Sequence, residues 1–335
     1  MLRWCFSTLA ALLLIAALAP ASQGRDVRHA LRLGGTPLQL LAGRGSLWVL
    51  TCDRGCTGEA RHSTGRIIRV DPRTARVVAS APIPRPLTIA VGVDGLYATD
   101  FERDTIRRID LRSLRVTGRL KLRLPFRFSA RDNAFLPQTV AVGRRAVWVD
   151  SDRGALVGAD SRLRRIVASL RMPPDAAGDT VGGVAAGAGG VWLAESLAGV
   201  YRVDERTSRI DARIRVSLAA GKFDATEIFP TAGRILALGV KASGGVLTQR
   251  NVLARIDPNH NRVEGISPLP SGQLVAATGA GSLWVARVGR TTVERLDPHT
   301  GRVLARLRAQ VGTSLAVAGG HLWTSSAGGV VSQVG

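Results

Sequence analysis

Aromatic residues make up only 4% of this 335-residue chain, which also has just three lysines, five histidines, two methionines and three cysteines. Negative charge is short as well, with 25 Asp and Glu against 46 Lys and Arg and a formal net charge of +21. Past residue 19 no apolar run is long enough to cross a bilayer as a helix, which excludes a multi-span helical membrane protein. The cysteines give no complete zinc set, because Cys52 and Cys56 have no further Cys close by in sequence and His62 alone leaves the set one ligand short. Neither Glu-x-His nor His-x-Glu occurs, and no Gly-x-Ser-x-Gly elbow or phosphate-binding glycine loop stands in its required context. No metal, cofactor or specific nucleic-acid motif is therefore expected.

What is present begins with the amino terminus. Arg3 precedes a largely apolar run from Phe6 to Ala19, and Ala19-Pro20-Ala21 supplies a small-residue cleavage pattern before polar Ser22. Residues 1–21 are expected to be a signal peptide and 22–335 a single domain, secreted or periplasmic. In that oxidising setting Cys52 and Cys56 are expected to close a short disulfide loop, with Gly55 easing the bend. An exported monomer is the simplest form.

The 38 glycines and 15 prolines indicate a chain that turns often, which favours short strands over long helices. Against the aromatic scarcity, one phrase recurs: apolar-Trp-apolar, or a close variant, after a glycine-rich turn. It is centred on Trp48, Tyr97, Trp148, Trp192, Leu236, Trp284 and Trp323. Seven anchors spaced about 46 residues apart match the four-stranded blade of a propeller. A second phrase interleaves with it. A strand ends in apolar-Asp at Asp71, Asp110, Asp160, Asp204, Asp257 and Asp297, with an Arg five residues later in every case. Five of the six units also place an Arg two residues before the Asp: Arg69, Arg108, Arg202, Arg255 and Arg295. Asp followed by Pro is turn chemistry, so these six Asp and 11 Arg belong to the frame.

In the first unit the expected strands A to D are Gln39–Ala42, Ser46–Leu50, Arg66–Val70 and Arg76–Ala81. The last unit runs out after three, and the alternating Leu31-Arg32-Leu33 supplies its fourth. The expected fold is all-β: a seven-bladed β-propeller of four-stranded antiparallel blades, closed by an N-terminal strand that completes the last blade.

These residues carry a resemblance. The stretch from Pro86-Leu87-Thr88-Ile89-Ala90-Val91-Gly92 through Ile109-Asp110 and Val116 resembles the YVTN-type propeller repeat. Gly281-Ser282-Leu283-Trp284-Val285 is similar to the virginiamycin B lyase-like branch of seven-bladed propellers. The resemblance covers nearly the whole chain after the leader and implies the propeller fold. The lyases of that branch use a His base, a Glu-x-His pair and a divalent metal, and this sequence lacks that set.

Linker lengths direct attention to one face. Anchor-to-Asp distances are 23 and 21 in units one and five but 12 or 13 elsewhere, so those B–C loops are long. The D–A connections into units three to five are long too. B–C and D–A loops share a face in a propeller, and variable loops on a rigid frame are the usual home of binding. Polar candidates there are Gln39, Thr88, Thr139, Glu227 and Ser314, nine residues before their anchors. Asp100, Asp150, Asp152, Glu195 and Arg287 follow strand B, and Arg131 lies in a long linker. Three readings compete: a binding or scaffold protein of the cell envelope, a lyase or hydrolase using the acids of this face, and a polyanion-binding surface protein. The partner in the first is an unknown small molecule, a wall component or a protein. The high Arg content fits a polyanion partner and equally a GC-rich genome.

Overall fold

The computed structural model describes residues 26–54, 63–100, 104–123, 137–151, 154–172, 181–195, 199–231, 233–243, 246–326 and 328–335. The expected signal peptide, Cys56, His62, Arg131 and Asp152 lie outside the described residues. Among the described residues, 28 strands and no helix form seven four-stranded antiparallel sheets.

The chain enters on β1 (Val27–Arg32). Blade 1 is β2 (Thr36–Gly43), β3 (Ser46–Arg54), β4 (Thr64–Asp71) and β5 (Arg76–Pro84). Blade 2 is β6 (Pro86–Val91), β7 (Leu96–Asp100), β8 (Thr105–Ile109) and β9 (Val116–Lys121). Blade 3 is β10 (Pro137–Val142), β11 (Val147–Ser151), β12 (Ala155–Ala159) and β13 (Ile166–Arg171). Blade 4 is β14 (Val181–Gly187), β15 (Gly190–Glu195), β16 (Gly199–Asp204) and β17 (Arg209–Ile214). Blade 5 is β18 (Lys222–Thr231), β19 (Arg234–Ser243), β20 (Val246–Asp257) and β21 (Arg262–Pro268). Blade 6 is β22 (Leu274–Gly279), β23 (Ser282–Arg287), β24 (Thr292–Leu296) and β25 (Val303–Arg308). Blade 7 is β26 (Leu315–Ala318), β27 (His321–Ser326), β28 (Val330–Val334) and, last, β1. The strands expected for the first unit fall inside β2 to β5. The first strand of each blade contacts the first strands of both neighbours, so these seven strands surround the axis.

Each seam between neighbouring blades holds its own apolar core, and the anchors explain why. Trp48 packs with Ile89, Leu96 and Ala98 of blade 2, and Trp148 with Val191, Leu193 and Val203 of blade 4. Every anchor faces the following blade in this way, ending with Trp323 against Leu47 and Val49 of blade 1. All seven anchors are buried. Burying such a ring removes roughly 150–250 Å² from water, worth about 4–6 kcal/mol before ordering costs. The indole N–H is satisfied locally: Trp48 donates to Gly43 O (3.0 Å), Trp192 to Gly187 O (2.9 Å) and Trp323 to Ala318 O (3.2 Å).

The second phrase is frame, as its turn chemistry requires. Asp71 accepts the Arg73 N–H at 2.9 Å, Asp110 the Ser113 N–H at 2.7 Å and Asp297 the His299 N–H at 2.6 Å. Backbone hydrogen bonds hold Asp71, Asp110, Asp204 and Asp297 below the usual carboxylate range, and at Asp257 the His260 imidazole is the main cause. Four residues after the Asp the backbone turns left-handed at Ala75, Leu114, Ser208, Asn261 and Gly301. Only the last is a glycine, so the Asp cap and the adjoining strands hold the others there. Arg69, Arg202 and Arg295 lie 5.5 to 5.8 Å over the Trp48, Trp192 and Trp284 rings. Part of the arginine excess is thus cation–π frame. The arginines that begin the D strands are exposed.

Ring closure is as expected. Strand β1 pairs antiparallel with β28, Leu31 opposite Val331 and Arg32 opposite Val330, and Leu33 N–H donates to Gly329 O at 2.9 Å. Leu31 and Leu33 pack on the core between blades 7 and 1. Gly329 sits at a φ of 75°, and a Cβ there would lie 2.5 Å from Gly35 O, so the closing turn requires glycine.

Candidate functional site

The loop-rich face is where first strands begin and second strands end. At that level a bulge interrupts the first pair of five blades, between Pro37/Gln39, Pro86/Thr88, Pro137/Val140, Val181/Gly183 and Ala225/Glu227. Such bulges re-aim side chains. Here they turn the residue nine before the anchor towards the next blade.

Four of the expected ligand candidates engage a neighbouring blade, three of them from bulged strands. Gln39 accepts the Ile89 N–H at 2.8 Å and donates to Ile89 O at 3.1 Å, while Thr88 donates its hydroxyl to Gln39 Oε1 at 3.1 Å. Ser314 Oγ accepts the Leu40 N–H at 2.8 Å, and Thr139 Oγ1 accepts the Val184 N–H at 2.9 Å. In each case the acceptor on one blade takes the N–H one residue beyond the equivalent position of the next. These side chains are clasps between blades. Glu227 occupies the same position in blade 5 and makes no such clasp: burial alone acts on its carboxyl, pushing it up to about 7.

The acids that follow the second strands do not meet as one ring. Asp100 is buried and paired with buried Arg107 on β8, whose own ionisation is lowered first by burial and then by Arg119 and Arg85. Alternation puts Asp100 on the Ala98 side of β7, towards blade 1. Asp150 shares the Trp148 side of β11, and Glu195 the Leu193 side of β15, so both enter the seam between blades 3 and 4. Both are fully buried. Asp150 Oδ1 accepts the Thr139 N–H at 2.5 Å and its hydroxyl at 2.9 Å. Neither oxygen of Glu195 has a hydrogen-bond partner among the described residues. Burial first, and then the Asp150 charge, push Glu195 up to about 8.

Two cavities, each of about 450 Å³, accompany these groups. One lies on the axis between β2, β18, β22 and β26, walled mainly by apolar residues such as Leu38, Phe229, Val275 and Leu315, with Gln39, Ser314 and Glu227 among its polar groups. The other borders the end of β23, where Arg287 and Arg290 are exposed beside the Glu294–Arg306 ion pair (2.9 Å). No group of three or more His, Cys, Asp or Glu side chains suited to a metal occurs among the described residues. His29 is exposed on β1; His260 and His299 are in C–D turns and bond Asp257 (2.5 Å) and Arg234 (2.7 Å).

No known protein family matches the sequence, and no curated protein matches it either. The fold, by contrast, is widely shared, with 1134 matching chains among solved structures. One is BamB from Moraxella catarrhalis, 15% identical, at a TM-score of 0.57 over 94% of both chains. At that identity the likeness shows the propeller fold alone.

Arg107 and Phe229 were not singled out in the sequence. The alternation of β8 could have suggested Arg107, because its side chain points into the same seam as Asp100. Nothing in the sequence marks Phe229 as an axial wall, since that depends on where β18 stands in the ring.

Proposed function

We propose that this chain is a secreted or periplasmic binding or scaffold propeller of the cell envelope, exported by residues 1–21 and monomeric. It receives a small molecule at the loop-rich end of its axis. One observation carries this reading: the axial cavity. Its volume of about 450 Å³ falls within the roughly 300–1,000 Å³ of small-molecule sites, and its wall combines apolar side chains with polar groups that could orient a ligand. The resemblance to YVTN-type and virginiamycin B lyase-like propellers supports the same architecture, and the short Cys52–Cys56 loop suits an oxidising compartment.

A fragment screen by calorimetry on the mature chain tests it, with Val275→Trp as a plug for the cavity. Hits that bind the wild type and lose binding in the plugged variant, at unchanged melting temperature, support the reading. Hits indifferent to the plug count against it.

A second reading has its own observation. Asp150, bonded by Thr139, and Glu195, its carboxyl raised to about 8, are neighbouring acids with different environments, the pattern of a base and an acid in hydrolases and lyases. An activity lost in both Asp150→Asn and Glu195→Gln would favour it.

A further inference from the structure

The polar groups on the axial wall are not equally available. Gln39 has its carbonyl and amide ends engaged by Ile89, and Ser314 Oγ accepts from Leu40. Thr313 donates its hydroxyl to Pro37 O at 2.5 Å. Among the described residues, Glu227 is the one acid that lines the cavity, and no basic side chain does. Of the seven neighbouring pairs, the first strands of blades 5 and 6 run alongside each other over the shortest stretch. A chain with a net charge of +21 thus holds one acid in a chamber of mixed polar and apolar wall, to which the described residues bring no cation.

We propose that the axial cavity is a site for a small organic monocation carried on an apolar body, its ammonium group paired with Glu227 and its body against Leu38, Phe229, Val275 and Leu315. This inference rests on the cavity being the binding site. The chemistry follows from what the wall offers. A ligand with a carboxylate or phosphate would bring a second anion to Glu227 and meet no cation among the described lining residues. A bare divalent metal draws on several oxygens and more than one negative charge, and the described lining brings a single carboxylate. An ammonium ion donates charge-assisted hydrogen bonds to the carboxylate, and Phe229 adds an aromatic side chain to the same wall. The upward push on Glu227 has burial as its only cause, as expected of an acid with no counter-charge beside it among the described residues.

Tryptamine and its neutral isostere tryptophol are suitable probes, titrated calorimetrically into the mature chain at pH 8. Tryptamine is protonated there and Glu227 mostly ionised. The expected result is at least a tenfold preference for tryptamine in the wild type. Glu227→Gln should abolish that preference, leave tryptophol binding unchanged, and leave the melting temperature within a few degrees. Equal binding of the two probes by the wild type, or a preference that survives Glu227→Gln, overturns the inference while leaving the cavity as a binding site. Failure of both probes at millimolar concentration overturns the inference. If the fragment screen also yields nothing sensitive to Val275→Trp, the binding reading fails with it.

Discussion

Glu195 gives the sharpest quantitative prediction. Its carboxyl is buried without a hydrogen-bond partner among the described residues and pushed up from 4.5 to about 8, first by burial and second by the Asp150 charge. A carboxyl raised in the folded state is held protonated there. Its contribution is therefore fully present below pH 4.5 and is lost as pH rises towards 8. At about 1.4 kcal/mol per unit, a shift of roughly 3.5 units sets an upper limit near 5 kcal/mol on the stability lost across that window. That is a large share of the ~5–15 kcal/mol that holds a typical domain together. Glu195→Gln keeps the shape and removes the charge. The variant and the wild type should agree within about 1 kcal/mol near pH 4.5, where both groups are neutral. The variant should then be progressively more stable, by several kcal/mol at pH 8. Urea midpoints at constant m-value from pH 4.5 to 8.5 measure the difference, and groups common to both proteins cancel. Parallel pH profiles for the two proteins would refute the placement of Glu195 in an unsatisfied, water-poor seam.

Removing residues 25–35 should destabilise the ring far more than trimming an ordinary terminus. It strips β1 from β28 and uncovers the core under Leu31 and Leu33, a loss of at least about 3 kcal/mol readable by urea unfolding. Gln39→Ala leaves the Ile89 N–H and carbonyl without their clasp and should cost roughly 2 kcal/mol. Ser314→Ala should cost about 1 kcal/mol in the same assay. Protein from the native host should begin near Ser22, with Cys52 and Cys56 unreactive to thiol reagents until reduced; a full-length product with free thiols would sink both the export and the disulfide proposals.

The frame was legible because its signals are local and repeated. An Asp that caps a turn, an aromatic flanked by apolar residues and a fixed interval between them suffice to count blades. The missing fourth strand of the last unit pointed to Leu31 and Leu33. The site was less legible because its geometry is made across seams. Asp100, Asp150 and Glu195 look equivalent in sequence, each following a second strand. A single step in strand parity sends Asp100 to Arg107 and brings Asp150 to Glu195. Gln39, Thr139 and Ser314 are polar for a reason that sequence position alone does not reveal: each meets a backbone N–H of the next blade. Glu227 is distinguished from them only by what fails to reach it.

The most direct test of the account is a structure of the chain purified from its native envelope, with native mass spectrometry of the same sample. The account predicts a bound small molecule of defined mass, with density in the axial chamber between β2 and β22 and a cationic group beside Glu227. A bound molecule seated instead at Asp150 and Glu195, or beside Arg287 with the axial chamber holding only water, would contradict it.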